Sequence, residues 1–174
     1  KVVDFLDFMN YEFPKQKKVY KPGNHEYRLP RLFQSRNPEL QGMPLAVTEE
    51  IYDYEGRGIE YLDYKQIVMA GKLPIMHGHE VRNLASTINP ASGLFMKIKS
   101  FGMCGHAHRT SEHTEKNIKG TILTTWSVGC LCNLQPEYDP YANNWNWGFS
   151  ILRISRDGNF EVENKRILPN GHVV

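Results

Sequence analysis

Short apolar runs alternate with polar, glycine-bearing turns along the whole chain, and that pattern predicts an α/β protein. Val2, Phe5, Leu6 and Met9 fall on one face at helical spacing, so Lys1 to about Tyr11 is predicted helical. Val19-Tyr20 reads as a short strand, and Ile59 to Leu62 as another. Between them, Pro44 to Tyr54 reads as a short helix ended by Gly56-Arg57-Gly58. Gln66 to Ala70 and Leu73 to Met76 form a predicted β-hairpin about the Gly71-Lys72 turn. Asn89-Pro90 caps and opens a helix whose apolar face is Leu94, Phe95 and Ile98. Phe101 to Cys104 is a short strand. Thr121 to Val128, rich in β-formers, is a longer one. Phe149 to Ser155 and Phe160 to Lys165 pair as a hairpin about Asp157-Gly158.

Composition narrows the class without naming a function. A chain of 174 residues suffices for one domain with a real core. Its 40% hydrophobic and 23% charged residues are ordinary for a globular protein. No apolar run reaches membrane-spanning length, and no signal-peptide pattern opens the chain. The formal net charge of +2 is too slight to argue for nucleic acid by itself. Three cysteines, an odd count without a secretory signal, fit a reducing, cytoplasmic compartment. Cys130-x-Cys132 lacks a matching second pair, so its thiols, like that of Cys104, read as buried and free rather than zinc-bound.

Candidate chemistry gathers in three loops. Lys21-Pro22-Gly23-Asn24-His25-Glu26 follows the Val19-Tyr20 strand, where Gly23 permits a turn that a Cβ would resist. Pro74-Ile75-Met76-His77-Gly78-His79 and Cys104-Gly105-His106-Ala107-His108 each carry an apolar lead-in, a Gly and a His-x-His pair. Five of the seven histidines lie in these loops, a concentration that core packing or surface chance does not produce. Ligands gather at the carboxyl ends of strands in α/β proteins. Imidazoles with an amide oxygen suit Mn, Fe or Zn.

At these residues the chain resembles the calcineurin-like metallophosphoesterases. Their last three motifs occur here in order as Gly23-Asn24-His25-Glu26, His77-Gly78-His79 and Gly105-His106-Ala107-His108. The resemblance implies an α/β fold of two facing mixed β-sheets flanked by helices. It also implies a site holding two divalent ions, Mn foremost, with Fe or Zn as alternatives. Asn24, His77 and His106 would bind one metal and His108 the other. His25 would face the phosphate and protonate the leaving group after hydroxide generated at the metals attacks phosphorus. The substrate implied is a phosphate ester, with a lean toward phosphodiesters or nucleotides. The family's Asp-x-His and Gly-Asp-x-x-Asp motifs do not occur, so the bridging Asp is missing. The expectation is a single domain, residues 1–174, lacking its first β-α portion, and an alternative is a non-catalytic metal- or nucleic-acid-binding module of the same fold.

Other polar groups admit two readings each. His79 is either substrate-binding or structural, and Arg109 faces either a phosphate or solvent. Arg28, Arg31 and Arg36 are close to His25 in sequence and read as surface charge in preference to phosphate ligands. Asp4 and Asp7 read as solvated helix residues, and His113 as a surface residue in a polar run. Tyr138, Tyr141, Trp145 and Trp147 in a Pro- and Asn-rich loop either stack on bases or cap a sheet edge.

Overall fold

The computed structural model describes residues 2–28, 39, 52–137 and 143–174, and it is a mixed α/β structure. The chain forms two compact units, residues 1–66 and 67–174. The expected helix over Pro44 to Tyr54 falls, but for its last turn, outside the described residues, as do Arg31, Arg36, Tyr138 and Tyr141.

In the first unit, α1 spans Val2–Glu12 and β1 spans Lys18–Tyr20. β1 pairs in parallel with β2, Ile59–Tyr61. The core here is small and aromatic: Leu6, Tyr54 and Ile59 are buried, with Tyr20, Tyr52 and Tyr61 packed against them. The Tyr20 and Tyr54 rings stack at 4.5 Å, an offset arrangement worth more than its area alone. Asp7 is 59% exposed and accepts from Arg57 Nε at 3.1 Å, a surface ion pair as the amphipathic pattern implies.

The second unit is built on a five-stranded mixed sheet in the order β3-β4-β5-β7-β6. Its strands are β3 Val68–Ala70, β4 Leu73–Met76, β5 Gly102–Cys104, β6 Ser111–Lys116 and β7 Ile122–Ser127. A hairpin of β8, Gly148–Ile154, and β9, Phe160–Arg166, completes the strands. Helix α2, Pro90–Ile98, precedes β5, and its Asn89 cap accepts from Ser92 N at 3.0 Å. Among the described residues no helix is long and apolar enough to cross a membrane.

The period-2 alternation of strands divides the core into two layers. Leu73, Met103 and Trp126 face Leu152, Phe160 and Val162 of the hairpin. Met76 and Cys104 point the other way, into a cluster with Leu84 and Leu94 and the adjoining Ile98. Thr125 faces the helix too, and its hydroxyl donates to Ala91 O at 2.7 Å. Two tight turns meet at one end: Gly71, at φ +60, lies so close to Gly158 that an added Cβ would stand 2.5 Å from its carbonyl oxygen.

β6 is the element that the polar pattern hides. Ser111 to Lys116 has no apolar residue, because it is an edge strand held by its ladder to β7. His113 consequently lies half-buried instead of at the surface, its ring 5.2 Å from that of Phe95.

Candidate metal centre

Strand direction assembles the site. β4, β5 and β7 are mutually parallel, with Met76, Cys104 and Ser127 side by side in the register. The chain therefore leaves all three strands at the same edge, and the next residues are the His77 loop, the His106 loop and the Cys130 loop. In parallel sheets this carboxyl edge is where ligands bind.

Glycine 78 lets two of these loops meet. At φ +116 it adopts a backbone conformation closed to most side chains, and a Cβ there would stand 2.9 Å from the Cβ of His106. His106 and His108 also sit at positive φ, 63° and 55°. The peptide N–H of Ala107 donates to Gly105 O at 2.6 Å, closing a three-residue turn centred on His106. Non-glycine residues hold such conformations only where surrounding structure enforces them, and they concentrate at functional sites.

The side chains converge accordingly. His77, His79 and Glu80 each offer a ligand atom, all within 4.8 Å of one another. Nδ1 of His79 lies 2.9 Å from Nδ1 of His77, and 3.5 Å from Oε2 of Glu80. The backbone N–H of His79 also points at Nδ1 of His77, at 3.4 Å, which requires a lone pair there. Glu80 is steadied by the peptide N–H of Gly78 at 2.7 Å. The His106 ring centroid is 5.0 Å from that of His77 and 6.4 Å from that of His79. Two imidazoles and a carboxylate, with a third imidazole beside them, fit a borderline divalent cation of the Mn, Fe or Zn group.

Glu80 was not legible as a site residue, because a lone acidic side chain after His-Gly-His has no signature of its own. His79 gains a place beside His77 that its position in sequence left open.

Arg109, expected to face either a phosphate or solvent, is half-buried and tied to backbone carbonyls. Its guanidinium donates to Ala85 O at 2.8 Å, Thr87 O at 2.6 Å and Ile88 O at 3.4 Å, strapping down the segment that leads into α2. It still borders a concavity of about 360 Å³, shared with His106, Ala107, Asn143 and Trp145. Trp145 meets His108 edge-to-face at 4.3 Å, and Trp147 Nε1 donates to Cys132 O at 2.8 Å. Both tryptophans pack, as one of their two readings had it.

A second group stands on the same edge. His108, Cys130 and Cys132 offer ligand atoms that also lie within 4.8 Å of one another. Cys104 is buried, Cys130 largely so and Cys132 exposed, so Cys132 is the thiol that departs from the expected burial. Burial pushes the Cys104 thiol up to about 12; Cys130 rises to about 12 as well, through burial and its neighbour Cys132.

Asn24 and His25 belong to the first unit. Residues 24–28 form a helical turn, with Asn24 half-buried at its start and His25 exposed. Glu26 caps this turn: it accepts from the Gly23 N–H and from the Tyr20 hydroxyl, both at 2.8 Å. Burial, and then the Glu26 carboxylate, hold the Tyr20 phenol well above its ordinary range.

Compared with known proteins, the chain matches no family model and no curated protein.

Proposed function

We propose that the chain is a metal-dependent phosphoesterase domain whose cation site is His77, His79, Glu80 and His106. One observation carries the reading: His77, His79 and Glu80 offer ligand atoms within 4.8 Å of one another, the His106 ring of the next strand-end loop lies 5.0 Å from that of His77, and Gly78 and His106 are held at positive φ. The three Gly- and His-bearing motifs of the sequence add the likeness to calcineurin-like metallophosphoesterases. On that reading the five-stranded sheet and its covering hairpin belong to a two-sheet sandwich. The free thiols fit a cytoplasmic setting.

Divalent ions bound here would supply Lewis-acid neutralisation of the charge that builds on a phosphate ester. The protein's own groups orient and exclude. Glu80 and the Gly78 N–H fix the His77 loop, and Arg109 holds the wall of the adjoining concavity. By the sequence resemblance alone, His25 would be the proton donor to the leaving oxygen and Asn24 would offer an amide oxygen suited to a hard cation.

The test is Mn²⁺ titration of the full chain, followed by assay with a bis-aryl phosphodiester and the corresponding monoester. Expected is saturable Mn²⁺ binding that His77→Ala removes, and turnover that His25→Ala removes while Mn²⁺ binding persists. Mn²⁺ binding without turnover of either ester would favour the non-catalytic module. No Mn²⁺ binding by the parent would overturn the centre itself.

A further inference from the structure

We infer that His108, Cys130 and Cys132 form a separate site for a thiophilic divalent cation of the Zn²⁺ type. The inference goes beyond the phosphoesterase reading and stands whether or not a phosphate ester is the substrate. The resemblance gives His108 a metal but leaves its companion ligands absent from the sequence; the fold brings it two thiols.

The geometry is that of a tetrahedral site with one position open. Nitrogen and sulfur ligands at about 2.0–2.3 Å from zinc stand about 3.4–3.8 Å apart in a tetrahedron. Ligand atoms already within 4.8 Å of one another need only small side-chain rotations to close on a cation. An imidazole with two thiols selects soft ions over Mn²⁺ or Mg²⁺. Three protein ligands leave a fourth position for water or an exogenous ligand, unlike the closed sets of structural zinc sites.

While Cys132 O accepts from Trp147 Nε1 at 2.8 Å, the other two of the three ligands, His108 and Cys130, are fixed by one residue, Asn146. Its N–H donates to His108 O at 2.9 Å, and its carbonyl oxygen accepts from the Cys130 N–H at 2.9 Å and from the Cys130 thiol at 3.6 Å. Its side-chain oxygen accepts from Thr110 N at 2.8 Å, and its amide donates to Thr110 Oγ1 at 2.8 Å. Gly129 makes the contact possible, since a Cβ there would stand 2.7 Å from the Asn146 carbonyl oxygen. The β5 exit and the β7 exit are thus tied to the β8 entry with both kinds of ligand facing one point. A surface pair of cysteines would need no such frame.

Co²⁺ titration of the reduced full chain under anaerobic conditions tests this. Thiolate coordination gives a sulfur-to-cobalt charge-transfer band, and a tetrahedral field gives strong visible d–d absorption. Expected is a band that saturates at one Co²⁺ per chain and is displaced by Zn²⁺. It should lose about half its charge-transfer intensity in Cys132→Ser, whose exposed side chain leaves the fold intact, and vanish in the Cys130→Ser/Cys132→Ser variant. It should survive His77→Ala, which disables only the histidine centre. Absence of the band in the parent, or a band unchanged in Cys132→Ser, overturns the inference. So does a band abolished by His77→Ala in a chain of unchanged circular dichroism, because that would assign the cobalt to the other centre.

Discussion

The Nδ1 atoms of His77 and His79 lie 2.9 Å apart, with a Glu80 carboxylate oxygen 3.5 Å from the second of them. The spacing of the two nitrogens is a hydrogen bond between the rings, and on the proposed function it also suits two nitrogens about 2.1 Å from one octahedral cation, which stand about 3 Å apart. Replacing His79 by Ala should therefore weaken Mn²⁺ binding by about tenfold or more, and Glu80→Gln by a similar factor. Isothermal titration calorimetry reads both. Parent-like affinity in His79→Ala would reduce that residue to a support for His77.

Arg109 should matter to stability more than to any anion. Its guanidinium serves three backbone carbonyls, and a lysine has no planar fork with which to replace it. Arg109→Ala is expected to cost about 1–2 kcal/mol, with Arg109→Lys recovering less than half. Urea unfolding midpoints measure the loss. A neutral Arg109→Ala would show that the strap contributes only geometry.

The Gly71 and Gly158 turns lock two hairpins together. Lys72 N donates to Gly158 O at 2.8 Å, and Lys72 Nζ reaches Asn159 Oδ1 at 2.9 Å. Gly71→Ala both forces a side chain into positive φ and drives a Cβ against a carbonyl, so a loss above about 2 kcal/mol is expected. Gly120→Ala is the control: it shares the positive φ, at 84°, but its nearest neighbour is a lysine side chain 3.7 Å away. It should cost about 1 kcal/mol. Equal losses in the two variants would show that the close approach at Gly71 adds nothing to backbone strain.

The tyrosine core should make the first unit sensitive to alkali. Burial raises the Tyr54 phenol from 10.0 to about 12, with Glu26 and neighbouring tyrosines adding to it and Tyr20 opposing. A raised phenol pKa means that above pH 10 the unfolded chain loses a proton that the folded chain keeps. Stability is then complete below pH 10 and falls as pH rises toward 12. Tyr54→Phe should flatten that fall relative to the parent when denaturation is compared at about pH 8 and about pH 11. An unchanged slope would place the effect elsewhere.

Much was legible in the chain itself because it is locally encoded. The Asn89-Pro90 cap, the Gly71-Lys72 and Asp157-Gly158 turns, and the alternation of β7 and β8 are set by residue chemistry within a few positions, and each element appears where it was expected. β6 was not legible, since an all-polar edge strand carries no burial pattern to read. The histidine motifs raised the expectation of a metal without saying how their side chains meet.

That meeting is what tertiary structure alone decided. The sequence determined which loops carry imidazoles and thiols, and that glycine stands where a loop must bend. It did not determine that β4, β5 and β7 run parallel and end in register, because strand order is a matter of long-range pairing and burial. Only that order puts His77 beside His106, and His108 beside Cys130 and Cys132, across separations of about twenty to thirty residues that no local rule spans.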